Sequence, residues 1–237
     1  MAKYGKWIGG GLGWVLGGPI GLIVGFIAGS IYDHTKVIRP NANTQPGDFA
    51  VALVVITAVV MKADKVIKKA ELDFVKNFFV RNFGEAKAQQ ALLMLRDVLK
   101  KEIPAREVCE QMRINLDYAS KLQMLHYMYG IAASDGEIHP DEIAVIRQMA
   151  QWMGVKQSDY VSIHAMFVGD EDAAYKILEI EKSATDDEVK KAYRSMAVKY
   201  HPDKVAHLGE DVQRAAKEKF QKLQEAYETV KKQRGMK

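Results

Sequence analysis

The stretch Thr185-Asp186-Asp187-Glu188-Val189-Lys190-Lys191-Ala192-Tyr193-Arg194-Ser195-Met196-Ala197-Val198-Lys199-Tyr200-His201-Pro202-Asp203-Lys204 holds a helix together with its start and stop signals. At the start, Thr185 and Glu188 form a capping box, in which the hydroxyl accepts an amide donor and the carboxylate reaches back to the first backbone N–H. Val189, Tyr193, Met196 and Tyr200 follow spacings of four, three and four, which places them on one buried face. Lys190, Lys191, Arg194 and Lys199 fall outside that face. Pro202 disfavours helical geometry at His201 and removes an amide donor, so the helix ends and the chain turns. A second helix is predicted over about Val212 to Val230, with Ala216, Phe220, Leu223, Tyr227 and Val230 on a matching stripe. The two form an antiparallel hairpin whose tip, Tyr200 to Asp211, displays His201, Asp203 and Lys204. A short helix, Ala173 to Leu178, offers Tyr175 and Leu178 to the same core.

With Ala174-Tyr175-Lys176-Ile177-Leu178 before it and Lys219-Phe220-Gln221-Lys222-Leu223-Gln224-Glu225-Ala226-Tyr227 after it, this segment resembles a J-domain. That resemblance implies docking on a DnaK-type Hsp70 through His201, Pro202, Asp203, Lys190, Lys191, Arg194 and Lys204. The chemistry suits the role, since a basic ridge with a projecting Asp fits an acidic surface that offers one basic donor. A helix stop with no partner is the plainest alternative. A catalytic His/Asp pair lacks an accompanying Ser or Cys nucleophile, and no aromatic platform interleaves the charges as nucleic-acid binding would require. Two departures from the family pattern stand out: Glu179 occupies a usual glycine position, and the fourth helix is reduced to Lys231 to Lys237. No Gly/Phe-rich stretch and no Cys-x-x-Cys repeat follows, so the substrate-handling parts of a full DnaJ are missing.

At the other end, Trp7 to Tyr32 contains no charged residue, and its 26 positions in a helix extend about 39 Å, enough for one membrane span. The length and the following Asp33-His34 argue against a cleaved signal peptide. Glycine recurs every fourth residue from Gly5 to Gly29. On a helix, Gly9, Gly13, Gly17, Gly21 and Gly25 then line a groove that another backbone can enter, and a homodimer through this helix is the expectation. Packing of the row against lipid or an unrelated protein is the alternative. Flanking charge does not set orientation, because Lys3 and Lys6 balance Lys36 and Arg39. An Hsp70 needs ATP, which puts the bulk of the chain in the cytoplasm at the bacterial inner membrane.

Residues 39–48 read as a linker. Phe49 to Met61 is apolar except for Thr57, too short to span a bilayer and suited to the centre of a bundle. Helices follow at Ala70 to Asn82, Glu85 to Lys101, Ala105 to Asn115, Tyr118 to Ala133, Pro140 to Met153 and Asp159 to Phe167, without strand signals. Ala63-Asp64-Lys65-Val66-Ile67-Lys68-Lys69-Ala70-Glu71 overlays Ser134-Asp135-Gly136-Glu137-Ile138-His139-Pro140-Asp141-Glu142 at an offset of 71, so each copy reads helix, acidic turn, helix. Here the chain resembles the TerB-like domain, over residues 49–168. The resemblance implies a divalent-cation site from Asp64, Glu71, Asp135 and Glu142, with Asp141 nearby; carboxylates suit calcium or magnesium. The same residues also read as helix-start chemistry, with Pro140 at the first helical position and Asp141 and Glu142 complementing the dipole.

Composition adds limits. The net charge is +4, with 15 Lys+Arg against 11 Asp+Glu from Ala173 onward and a balanced remainder, so basicity is local and nucleic acid is not an expected partner. The lone Cys109 excludes an intramolecular disulfide framework. The expected fold is all-α: a membrane anchor over residues 1–38, a TerB-like bundle over 49–168, and a J-domain hairpin over 173–237. That order resembles the DjlA family of bacterial membrane co-chaperones and implies a non-enzymatic Hsp70 regulator. The rival is a stress-response scaffold or metal sensor whose J-domain mainly localises it.

Overall fold

The computed structural model describes residues 46–63 and 66–236. The predicted span, its glycine row from Gly5 to Gly29 and Asp64 lie outside the described residues. The described chain is helical, and no helix in it is long and apolar enough to cross a membrane.

Helix α1, Pro46–Met61, begins inside the segment read as linker. Proline is preorganised for a first helical turn, so Pro46 starts the helix rather than preceding it. From Ala52 to Ala58 every side chain is buried, and α1 packs against the four helices that follow. The buried Thr57 is satisfied: its Oγ1 donates to Leu53 O at 2.7 Å and pairs with Tyr127 Oη at 2.8 Å. Helix α2, Lys69–Leu99, joins the two predicted helices; Gly84, at φ 76°, interrupts the helical geometry where the sequence suggests a break. Helices α3 (Ala105–Asn115), α4 (Tyr118–Ala132), α5 (Pro140–Trp152) and α6 (Gln157–Ala165) complete the bundle. Cys109 is fully buried there, and burial pushes its thiol up to about 12.

The internal repeat has a structural counterpart. Glu71 accepts from Lys68 N at 3.1 Å and Glu142 from His139 N at 2.8 Å, so the repeated glutamate closes a helix start in both copies.

After residues 168–172 come α7 (Ala173–Ile177), α8 (Asp186–Lys199), a 3-10 helix (Pro202–Leu208) and α9 (Glu210–Arg234). The Thr185/Glu188 box forms as predicted, with Glu188 N donating to Thr185 Oγ1 at 3.3 Å and Thr185 N to Glu188 Oε2 at 2.7 Å. Tyr193 and Tyr227 stack across the α8–α9 hairpin, with ring centroids 4.1 Å apart. Lys231 to Arg234 are not a reduced fourth helix: they are the last turn of α9, which ends at Gly235 in the left-handed region, φ 65°.

Arg234 explains why α9 runs so far. Its guanidinium donates to the carbonyls of Ala184 and Lys182, reaches Tyr175 Oη at 3.2 Å and lies 3.5 Å from Asp186, closing the hairpin's open end over the α7–α8 loop. Arg234→Ala is expected to lower the thermal midpoint by several degrees, with little loss in Arg234→Lys ruled out by the fork geometry; circular-dichroism melts check this.

The hairpin packs directly on the bundle. His126, buried on α4, stands edge-on to Phe167 at 4.9 Å, and Lys222 of α9 lies over the same ring at 3.9 Å. Burial, reinforced by the charges of Lys219 and Lys222, holds the His126 imidazole well below its ordinary range. Protonation therefore favours any state that exposes it, and stability is lost as pH falls below about 6.5. Melts between about pH 7.5 and about pH 5.5 should show a steeper loss for the wild type than for His126→Leu.

Candidate functional site

The hairpin tip is built by local rules. Met196 O accepts the last helical amide of α8 at 2.8 Å from Tyr200 N, and Pro202 opens the 3-10 helix with its own side chain buried. Asp203 N donates to His201 Nδ1 at 3.2 Å, so the imidazole caps the new helix. Gln213 Nε2 donates to Asp203 Oδ1 at 2.7 Å and ties the tip to α9. Phe220 of α9 faces the His201 ring at 5.9 Å. The reactive edges stay outside, with the His201 and Asp203 side chains 51% and 71% exposed.

Of the predicted docking residues, Lys191, Arg194 and Lys204 are exposed and Lys190 is half-buried. Val198, 63% exposed, continues the line of Lys191 and Arg194 toward the tip at spacings of three and four. It is an apolar member of this face that the charge pattern did not reveal.

Lys199 does not belong to that ridge. Its ammonium turns inward, 2.6 Å from the fully buried Asp159 of α6 and 2.8 Å from Glu179. Burial opposes its charge, yet the two carboxylates prevail and hold the ammonium above its ordinary range. Glu179, at φ 56°, is the one non-glycine residue with positive φ among the described residues. That conformation costs about 1 kcal/mol or more for a residue with a Cβ, and the Lys199 ion pair accounts for the side chain's presence.

The sequence also contains the tripeptide twice, which reading the repeat for its carboxylates overlooked. His139-Pro140-Asp141 opens α5, with Asp141 N donating to His139 Nδ1 at 3.2 Å and the two side chains 50% and 69% exposed. These values match the tip closely. The surroundings differ: Asp135, Glu137 and Glu142 flank the first copy, whereas Lys190, Lys191, Arg194 and Lys204 flank the second. The tripeptide by itself is a helix-start device, and its setting gives it any further role.

The described carboxylates of the acidic turns each have a partner inside the chain. Glu71 and Glu142 close helix starts, and Asp135 accepts from Lys68 Nζ at 2.6 Å, an ammonium supplied by the other repeat copy. Among the described residues no three acidic, histidine or cysteine side chains group as metal ligands.

Comparison with known proteins accounts for nearly the whole chain. Residues 1–46 match the model of the co-chaperone DjlA transmembrane domain, 50–165 that of tellurite resistance protein TerB, and 173–235 that of the DnaJ domain. The co-chaperone protein DjlA of Coxiella burnetii is 25% identical over all of both chains. The protein of that name from Photobacterium profundum is 25% identical over 99% of this chain and all of its own. Over 24% of this chain, and 14% of its own length, the chaperone protein DnaJ of Fusobacterium nucleatum is 46% identical. No solved structure matches. An exposed His-Pro-Asp tip on a J-domain hairpin, a helical bundle matching TerB and an N-terminal match to a transmembrane domain agree in kind and in order, and the chain belongs to the DjlA family of membrane-anchored, DnaJ-like co-chaperones.

Proposed function

We propose that this protein docks on a DnaK-type Hsp70 and stimulates its ATPase at the cytoplasmic face of the bacterial inner membrane, without hydrolysing anything itself. The observation that carries the reading is the joint exposure of His201 and Asp203 beside Lys191, Arg194 and Lys204. Lys190, Lys191, Arg194 and Lys204 supply the long-range attraction to an acidic partner surface. Asp203, fixed by Gln213, presents one carboxylate oxygen to a cationic donor, and Pro202 sets the direction of the turn. Residues 1–38 would anchor the chain, with the groove of Gly9, Gly13, Gly17, Gly21 and Gly25 pairing two copies. The ATP requirement of the partner puts the bulk of the chain and its C-terminus in the cytoplasm.

Binding of the full chain, in lipid vesicles, to ATP-loaded DnaK tests this. Binding that weakens steeply with added salt is expected. Absence of binding with nucleotide bound would leave the scaffold reading in its place.

A further inference from the structure

The residues immediately behind the His-Pro-Asp tip are held by the other domain. Tyr200, which precedes the tripeptide, is buried, and its hydroxyl reaches Asp159 Oδ1 at 3.4 Å and Ser162 Oγ at 3.5 Å, both on α6. Lys199 pairs with the same Asp159, whose other oxygen accepts from Tyr118 Oη at 2.6 Å. Lys219 of α9, buried as well, lies over the Tyr200 ring at 4.7 Å. On the far side of the tripeptide, His207 Nε2 stands 2.9 Å from Asp117 Oδ2, and Arg214 donates to Arg81 O at 2.8 Å. The 3-10 helix itself touches α1 and α4.

We propose that the TerB-like bundle is the mount of the His-Pro-Asp loop, and that Asp159 and Glu179 are positioning residues acting through Lys199. The proposal rests on the J-domain reading above. Two features point to it independently of periodicity. Asp159 is a fully buried carboxylate whose counter-charge comes from the other domain, so separating the domains strands it. Glu179 keeps a left-handed backbone that glycine would adopt without strain, and its carboxylate lies on the same ammonium. The docked arrangement leaves His201, Asp203, Lys191 and Arg194 exposed, so it orders the loop without covering it. A loop ordered in advance has less freedom to lose on docking, which shows in apparent affinity rather than in the saturated rate.

The test uses the full chain in lipid vesicles, with Glu179→Gly and Asp159→Asn. Glu179→Gly relieves the backbone and removes only the ion pair, so it leaves the J-domain folded; unchanged exchange in α1 verifies that the bundle is intact. Two readouts are taken: hydrogen exchange of the amides of residues 202–214, and single-turnover ATP hydrolysis by DnaK as a function of chain concentration. The expected result is exchange about tenfold faster in that segment and a half-maximal concentration raised about three- to tenfold, with the saturated rate unchanged. Unchanged exchange, or an unchanged half-maximal concentration, overturns the proposal. If the wild-type chain fails to stimulate at all, the J-domain reading falls, and the exchange measurement alone then supports or overturns the mount.

Discussion

Replacing Lys190, Lys191 and Arg194 together by glutamate is expected to raise the chain concentration needed for half-maximal stimulation of DnaK by at least about 100-fold. The substitution turns an attractive face into a repulsive one, and like charges set against an acidic partner oppose both encounter and docking. Salt should separate this effect from misfolding. Screening weakens the wild-type interaction as ionic strength rises, because the attraction acts over roughly a Debye length of about 10 Å at 0.1 M. For the triple variant the salt dependence should flatten or reverse sign. Lys191 and Arg194 are exposed and make no side-chain hydrogen bond among the described residues, so the thermal midpoint should move by no more than about 2 °C. A variant that stimulates normally at low salt would show that the ridge contributes no docking energy.

Leu223→Ala is expected to produce the largest loss of stability among conservative single changes in the hairpin. Leu223 is fully buried in the middle of α9, on the stripe that meets α7 and α8. Truncation removes apolar contacts and leaves a void, at about 2–5 kcal/mol. Domains of this kind hold a margin of about 5–15 kcal/mol, so the hairpin would lose much of its reserve. A drop of about 10 °C in the melting midpoint follows from the usual size scaling. The neighbouring Gln224, which is exposed, provides the comparison: Gln224→Ala should leave the midpoint unchanged. A fall of less than about 3 °C for Leu223→Ala would mean that α9 does not supply the centre of this core.

Sequence periodicity placed most helices because each element carries its own signals. Thr185 and Glu188 mark one start, Pro202 marks a stop, and the unbroken apolar run of α1 marks burial on all sides. The reading failed where a polar side chain is used at long range. Lys199 sits among exposed lysines in sequence, yet it turns inward to a carboxylate 40 positions away. Arg234 lies in the stretch that reads as a reduced fourth helix, and it closes the hairpin against residues about 50 positions earlier. Glu179 was legible as a departure from glycine, but its ion pair was not. Pro46 misplaced a boundary for a simpler reason, since proline both precedes and begins helical geometry depending on its neighbours.

The acidic turns illustrate the same point from the other side. Their repeated Asp and Glu suggested ligands, and the two alternatives could not be separated by spacing. In the structure the glutamates accept backbone amides and Asp135 accepts from Lys68, so each has a partner inside the chain. The repeat thus encodes two equivalent helix starts. The second copy also carries a His-Pro-Asp, whose bond from the Asp amide to the imidazole has the same 3.2 Å length as at the tip while its charged neighbours are opposite in sign.

That duplication provides the most direct test of the central claim. Single-turnover ATP hydrolysis by DnaK should be measured with the wild-type chain and with His201→Gln, Asp203→Asn, His139→Gln and Asp141→Asn. The account predicts stimulation by the wild type and by both variants at residues 139 and 141, and none by the variants at 201 and 203 at any concentration. Equal stimulation by all five chains would contradict it.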